Sequence, residues 1–221
     1  SPYSDIYGGA ILNATIDLYA YASLEPLNNG KIEFCIDGSD KCLILDSKEK
    51  LDLAEGFELF IGVYNRVIKQ FNLKPLSFRL TSFIEAPQGS GLGTSSTIVV
   101  SLLGAFIEWL KLPLGKYDIA HLAYEIERVD LNMAGGKQDQ YAATFGGVNY
   151  IEFLPNDRVI VNPLQLKPEI LNELELNLLL YFTATQRLSA TIINEQVQNV
   201  KDKNVKSVDA MHNLKEQAHQ M

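Results

Sequence analysis

Residues 87–96 read Pro87-Gln88-Gly89-Ser90-Gly91-Leu92-Gly93-Thr94-Ser95-Ser96, three alternate glycines running into a cluster of hydroxyls. Upstream, Leu76 to Glu85 has the composition of a strand; downstream, Thr94 to Leu110 is apolar on almost all sides at helical spacing, which marks a buried helix. Strand, glycine loop and helix in this order suit an anion. Glycine removes the Cβ that would keep backbone N–H groups from turning toward one point, and the free N–H groups and dipole at a helix start favour phosphate. The same residues also read as a Gly-rich turn in which Thr94 or Ser95 merely caps the helix. Two other phosphate loops are excluded: no lysine lies between Pro75 and Trp109 to make a Walker sequence, and the third glycine comes one residue early for a dinucleotide fingerprint.

Two acids accompany the loop. On a predicted helix from Asp118 to Leu131, centred on Ile119, the residues Leu122, Ala123, Ile126 and Val129 share one arc, and Glu127 falls at its edge, about 80° from the centre. Such a glutamate is either a salt-bridge partner, of Arg128 for instance, or a ligand bordering the interior. Asp139 follows Gly135-Gly136 at the start of a short predicted helix, Gln138 to Phe145, stopped by Gly146-Gly147. There the dipole holds it ionised, as an acceptor-orienting base requires, although a plain helix-start acid uses the same physics. Phosphate cradle, inward Glu and helix-start Asp together make the parts list of magnesium-assisted phosphoryl transfer.

The rest of the chain frames these motifs. Of 221 residues 47% are apolar and 21% charged, with 23 Gly plus Pro, which excludes disordered and collagen-like classes. A net charge of −8 opposes binding to nucleic acid or anionic lipid, and the longest nearly apolar run, Ile98 to Ile107, falls short of the ~20 residues of a membrane span. Cys35 and Cys42 flank a predicted hairpin turn at Asp37-Gly38-Ser39-Asp40; with no basic, apolar leader at the start, the cytoplasm is the default and both thiols are read as reduced. Strand signals occupy Ala10 to Leu24, Lys31 to Ile36 and Cys42 to Leu45. A helix is predicted from Leu53 to Phe71, a strand from Val148 to Phe153, a boundary around Pro155 to Pro168, a strand from Glu175 to Phe182, and helices from Ser189 to Val200 and Asn204 to Met221. Early strands and later helices indicate an α+β fold, not a parallel Rossmann sheet. His121, His212 and His219 are read as surface residues, and Arg187 with Ser189 as a turn or an anion contact.

The loop Pro87 to Ser96 resembles the Pro-x-x-x-Gly-Leu-Gly-Ser-Ser loop of the GHMP kinases, and Gln138-Asp139-Gln140 resembles the galactokinase-type Asp-Gln pair. Within that family the runs Tyr124 to Arg128, Gly135 to Ala143 and Phe145 to Gly147 are most similar to bacterial D-glycero-D-manno-heptose 7-phosphate kinases. The resemblance implies an α+β fold with a GHMP-kinase-like N-terminal domain of ribosomal-protein-like type, residues 1–165, and the start of a ferredoxin-like domain, residues 166–221. It implies ATP bound by Pro87, Gly89, Ser90, Gly91, Leu92, Gly93, Thr94, Ser95 and Ser96, Mg²⁺ held by Ser95 and Glu127, and Asp139 as catalytic base toward the anomeric hydroxyl of a sugar or sugar phosphate. Thr94 replaces the usual first Ser and keeps its hydroxyl. The family's substrate-binding Gly-rich motif is expected before Ser1 and its Gly-Ala-Gly-type motif after Met221, so this stretch is read as part of a longer enzyme. A galactokinase- or fucokinase-like sugar kinase, or a non-catalytic binding module of the same fold, is the alternative. The oligomeric state stays open, a homodimer included.

Overall fold

The computed structural model describes residues 7–87, 89–179, 181 and 189–220. The chain divides into two compact units, residues 17–133 and residues 1–16 with 134–221.

The first unit is a four-stranded sheet with helices on one face. Its strands are β2 (Ala20–Pro26), β3 (Lys31–Ile36), β4 (Cys42–Asp46) and β5 (Phe78–Ile84), in the order β2-β5-β3-β4. All pairs are antiparallel except β3 with β5. Helix α1 (Glu58–Gln70) packs on α2 (Thr94–Leu110), which lies against β2 and β5, and α3 (Lys116–Glu125) packs on α2. Alternation decides which face of the sheet is covered: Ile32, Phe34, Phe78 and Leu80 point inward and are buried with Val99, Leu102, Leu103 and Phe106 of α2. The phenyl ring of Phe78 meets Phe34, Tyr64, Phe106 and Trp109, so it sits at the centre of the core. Helix α2 carries no broad exposed face, as its composition requires. Gly104 is exposed with open space around it.

The second unit holds β1 (Gly9–Ala14), α4 (Gln138–Phe145), β6 (Val148–Leu154) and β7 (Arg158–Pro163), with α5 (Pro168–Asn177), α6 (Ser189–Lys201) and α7 (Val205–Gln220). Its sheet is antiparallel in the order β1-β6-β7, and α7 packs on β1.

Several expectations are corrected. The strand signal of Ala10 to Leu24 is two strands in separate sheets, broken after Ala14. Helix α1 starts at Glu58, not Leu53, because Gly56 takes φ +80° and Phe57 forms the N-cap. The expected strand Glu175 to Phe182 is wrong over Glu175 to Asn177, which close α5; Pro168 at its first turn and the Leu/Glu composition favour helix. Leu180 and Phe182, like Arg187, lie outside the described residues. Strand β7 was not anticipated within the boundary region; Asn156 and Asp157, both at φ +61°, turn the chain back onto β6. On α7, Val205 and Leu214 are exposed; His212 and His219 are at the surface as expected, His212 meeting Tyr7 edge-on and His219 bonding Tyr150.

Cys35 and Cys42, expected as free thiols, form a disulfide with a Cα–Cα distance of 4.2 Å. Antiparallel pairing of β3 and β4 places the two residues directly opposite each other. Closing so short a loop stabilises by roughly 2 kcal/mol through the unfolded state. Denaturant unfolding of Cys35→Ser under oxidising conditions is expected to show that loss, and the same loss on reduction of the unaltered protein.

Candidate active site

The loop after β5 is shaped by its glycines. Gly89, Gly91 and Gly93 take φ of +72°, +78° and +71°, the left-handed region in which a Cβ is strained. Gln88 lies outside the described residues. Gly93 is the N-cap of α2, and no side chain of the described residues caps that helix start. The capping alternative for Thr94 or Ser95 therefore does not hold. With no acid in the first turn either, the helix start keeps its N–H groups and positive dipole end for an external anion. Ser90 points the same way: its Oγ is buried without a hydrogen-bond partner among the described residues, a costly state unless a ligand or water supplies the bond. Leu92 is at the exposed tip and Pro87 at the exposed entry of the loop.

Glu127 is completely buried. Ser95 Oγ donates to its Oε1 at 3.0 Å and Ser96 Oγ to its Oε2 at 2.7 Å, and Arg128 Nη1 stands 3.8 Å from Oε1. A buried carboxylate needs such partners, since desolvating it unpaired is expensive. The sequence placed Glu127 only at the edge of the buried arc by centring that arc on Ile119; with Ala120 buried and Ile119 only half-buried, the arc centres nearer Ala123 and takes in Glu127. The predicted helix Asp118 to Leu131 is α3 followed by a π-helical turn, Ile126–Asp130. The extra residue of a π-turn rotates the side chains after it about the helix axis, which leaves Val129, expected in the core, 64% exposed. Ser96 is buried as well, so its hydroxyl serves Glu127 and its N–H is what it contributes to the helix start.

At the end of β5 lies a cavity of about 710 Å³, within the size range of small-molecule pockets. The end of β5 (Ser82, Phe83, Ile84), Ile98 of α2, Asp37 and Met133 contribute to its wall, so it is mainly apolar with a few polar groups. Sequence reading missed it because its walls come from separated segments. The aromatic rim continues outside: Phe83 stacks on Tyr21, itself tilted against Tyr19. Burial and the Glu85 carboxylate push the Tyr21 hydroxyl above its usual range.

Asp139 belongs to the second unit. It is half-buried in the first turn of α4, as its position after Gly135-Gly136 suggests. The helix is anchored by Tyr141, whose ring meets Phe153 of β6 edge-on, and Lys137 just before it pairs with Asp157.

Among the described residues no cluster of three or more His, Cys, Asp or Glu side chains is placed to hold a metal ion. A Mg²⁺ ion takes one or two carboxylates and completes its shell with phosphate and water oxygens. Glu127 with the Ser95 hydroxyl is such a partial oxygen set, so these residues fit the ion. No helix among the described residues is long and apolar enough to cross a membrane.

Comparison with known proteins agrees with this geometry. The chain is 49% identical over 219 residues to the D-glycero-alpha-D-manno-heptose 7-phosphate kinase of Campylobacter jejuni, covering 99% of this chain and 64% of that protein. It superposes on the crystal structure of a D-glycero-D-manno-heptose 1-phosphate kinase from Bacteroides thetaiotaomicron with a TM-score of 0.87 and 51% identity, over 100% of this chain and 65% of that one. The Methanococcus jannaschii mevalonate kinase shares the fold, with a TM-score of 0.70 at 19% identity over 99% of this chain and 68% of that one. The chain thus spans just under two thirds of the length of its two more similar relatives. Residues 58–147, which include the loop, Glu127 and Asp139, match the GHMP kinases N terminal domain.

Proposed function

We propose that this chain is the nucleotide-binding part of an ATP-dependent sugar kinase that phosphorylates the anomeric hydroxyl of D-glycero-D-manno-heptose 7-phosphate, giving the 1,7-bisphosphate. One observation carries the nucleotide half of this reading: an uncapped helix start behind three left-handed glycines, with Glu127 held under it by Ser95 and Ser96. In this reading Gly89 to Ser96 take the triphosphate on their N–H groups, Ser90 Oγ gains its missing partner, and the cavity at the end of β5 takes the nucleoside. Ser95 and Glu127 hold Mg²⁺, which neutralises charge on the phosphate oxygens. Asp139, in the first turn of α4, accepts the proton of the sugar hydroxyl and aligns it for in-line attack.

The acceptor rests on the relatives. The Campylobacter jejuni protein is named a heptose 7-phosphate kinase and the Bacteroides thetaiotaomicron protein a heptose 1-phosphate kinase, so the two names differ on the acceptor. The test is product identity. The whole protein is incubated with ATP, Mg²⁺ and, separately, heptose 7-phosphate, heptose 1-phosphate, galactose and fucose, and products are followed by ³¹P NMR. The expected result is a new anomeric phosphate on heptose 7-phosphate at a kcat/KM at least ~10²-fold above that for either hexose. Preferred turnover of a plain hexose contradicts the acceptor assignment, and turnover of none of the four contradicts the kinase reading.

A further inference from the structure

The π-turn that carries Glu127 is not held by its own sequence. Its defining bond runs from Leu131 N–H to Ile126 C=O at 3.0 Å, and Met133 N–H returns to Glu127 C=O at 2.8 Å. Such turns are rare and persist where the surroundings impose them. The surroundings here are two residues of α1, Gly62 and Arg66, four apart and so on the same side of the helix. Arg66 Nε and Nη2 donate to the two carboxylate oxygens of Asp130 at 2.6 and 2.7 Å, and Nη1 donates to Glu125 at 3.3 Å. Glu125 immediately precedes the turn and Asp130 ends it. One guanidinium therefore spans the turn from end to end. At Gly62 a Cβ would stand 2.9 Å from Leu131 Cδ1, so the absence of a side chain lets the residue after the turn pack against α1.

We propose that Arg66 is a positioning residue for Glu127. By bridging Glu125 and Asp130 it fixes the extra residue of the π-turn, and so holds the Glu127 carboxylate against Ser95 and Ser96. Its side chain is 16% exposed, and its contact with Asp130 is the bidentate kind that only a guanidinium makes. Removing it leaves two carboxylates facing each other across a turn that relaxes toward ordinary α-helix. That relaxation rewinds the backbone that carries Glu127 and draws its carboxylate away from the loop. The structural part of this proposal stands on the contacts alone; its consequence for metal binding rests on the function proposed above.

The test uses Arg66→Ala, Arg66→Lys and Asp130→Asn in the whole protein. Crystal structures report whether Glu127 still accepts from Ser95 and Ser96, and electron paramagnetic resonance of Mn²⁺ with ATP reports metal affinity. Arg66→Ala is expected to withdraw Glu127 from both hydroxyls and to weaken Mn²⁺ binding by ~10–100-fold, the usual effect of losing a residue that orients a metal ligand. ATP binding without metal is expected to stay within about 2-fold, and Arg66→Lys, which keeps the charge without the fork, to recover only part of the loss. If Arg66→Ala does not fold, Arg66→Lys and Asp130→Asn carry the same comparison. A lowered melting temperature with Glu127 still bonded to Ser95 and Ser96, and Mn²⁺ affinity unchanged, overturns the proposal and leaves an ordinary ion pair. If the unaltered protein binds no Mn²⁺ with ATP, the functional reading fails, while the position of Glu127 in the variant structures still decides the role of Arg66.

Discussion

Replacing Asp139 by Asn in the whole protein is expected to lower kcat by on the order of 10²–10⁴ while ATP affinity changes little. The substitution keeps size and shape, so the first turn of α4 and the packing of Tyr141 on Phe153 are preserved. On the proposed function, what it removes is the carboxylate that accepts the sugar proton and aligns the hydroxyl. Phosphoryl transfer passes through a loose transition state in which alignment matters more than basicity, hence a large but incomplete loss. Steady-state kinetics on heptose 7-phosphate with a thermal melt of the same sample checks this. Near-normal kcat would reduce Asp139 to a helix-start acid even if the chain is a kinase.

The second large effect is at Glu127. Glu127→Gln is expected to lower turnover by ~10²–10³ and to raise the Mg²⁺ concentration for half-maximal rate by at least ~10-fold. The amide keeps an acceptor for one of the two serine hydroxyls but carries no charge for a cation, and Arg128 loses the carboxylate 3.8 Å away. Stability is expected to move by much less, because a neutral amide avoids the desolvation cost of a fully buried carboxylate. A parallel fall in melting temperature with an unchanged Mg²⁺ requirement would instead make Glu127 a structural anchor of α2.

The parts of the site that depend on local chain chemistry were legible in the sequence. Gly89, Gly91 and Gly93 announce left-handed backbone, and the limits of α2 at Thr94 and Leu110 come from the glycine before it and the apolar run within it. Helix α4 was equally plain, since Gly135-Gly136 precedes it and Gly146-Gly147 ends it. What escaped depends on partners distant in sequence. The π-turn is imposed by Arg66 and Gly62, some 60 residues away, so a regular helix put Val129 inside. Ser96 was grouped with the phosphate contacts, but its hydroxyl is taken by Glu127 across 31 positions. The Leu-rich alternation of Glu175 to Phe182 imitates a strand, although α5 occupies its beginning and Leu176 is 87% exposed. The two cysteines were judged by compartment, whereas the β3–β4 register brings them together.

That the loop at residues 89–96 cradles a nucleoside triphosphate is tested most directly by a crystal structure of the whole protein with Mg²⁺ and a non-hydrolysable ATP analogue. The expected result has the triphosphate on the N–H groups of Gly91 to Ser96, Ser90 Oγ bonded to a phosphate oxygen, the base in the cavity between Phe83 and Ile98, and the metal between Ser95 and Glu127. A triphosphate bound elsewhere, with the start of α2 open to water and Glu127 still closed on both serines, would contradict it.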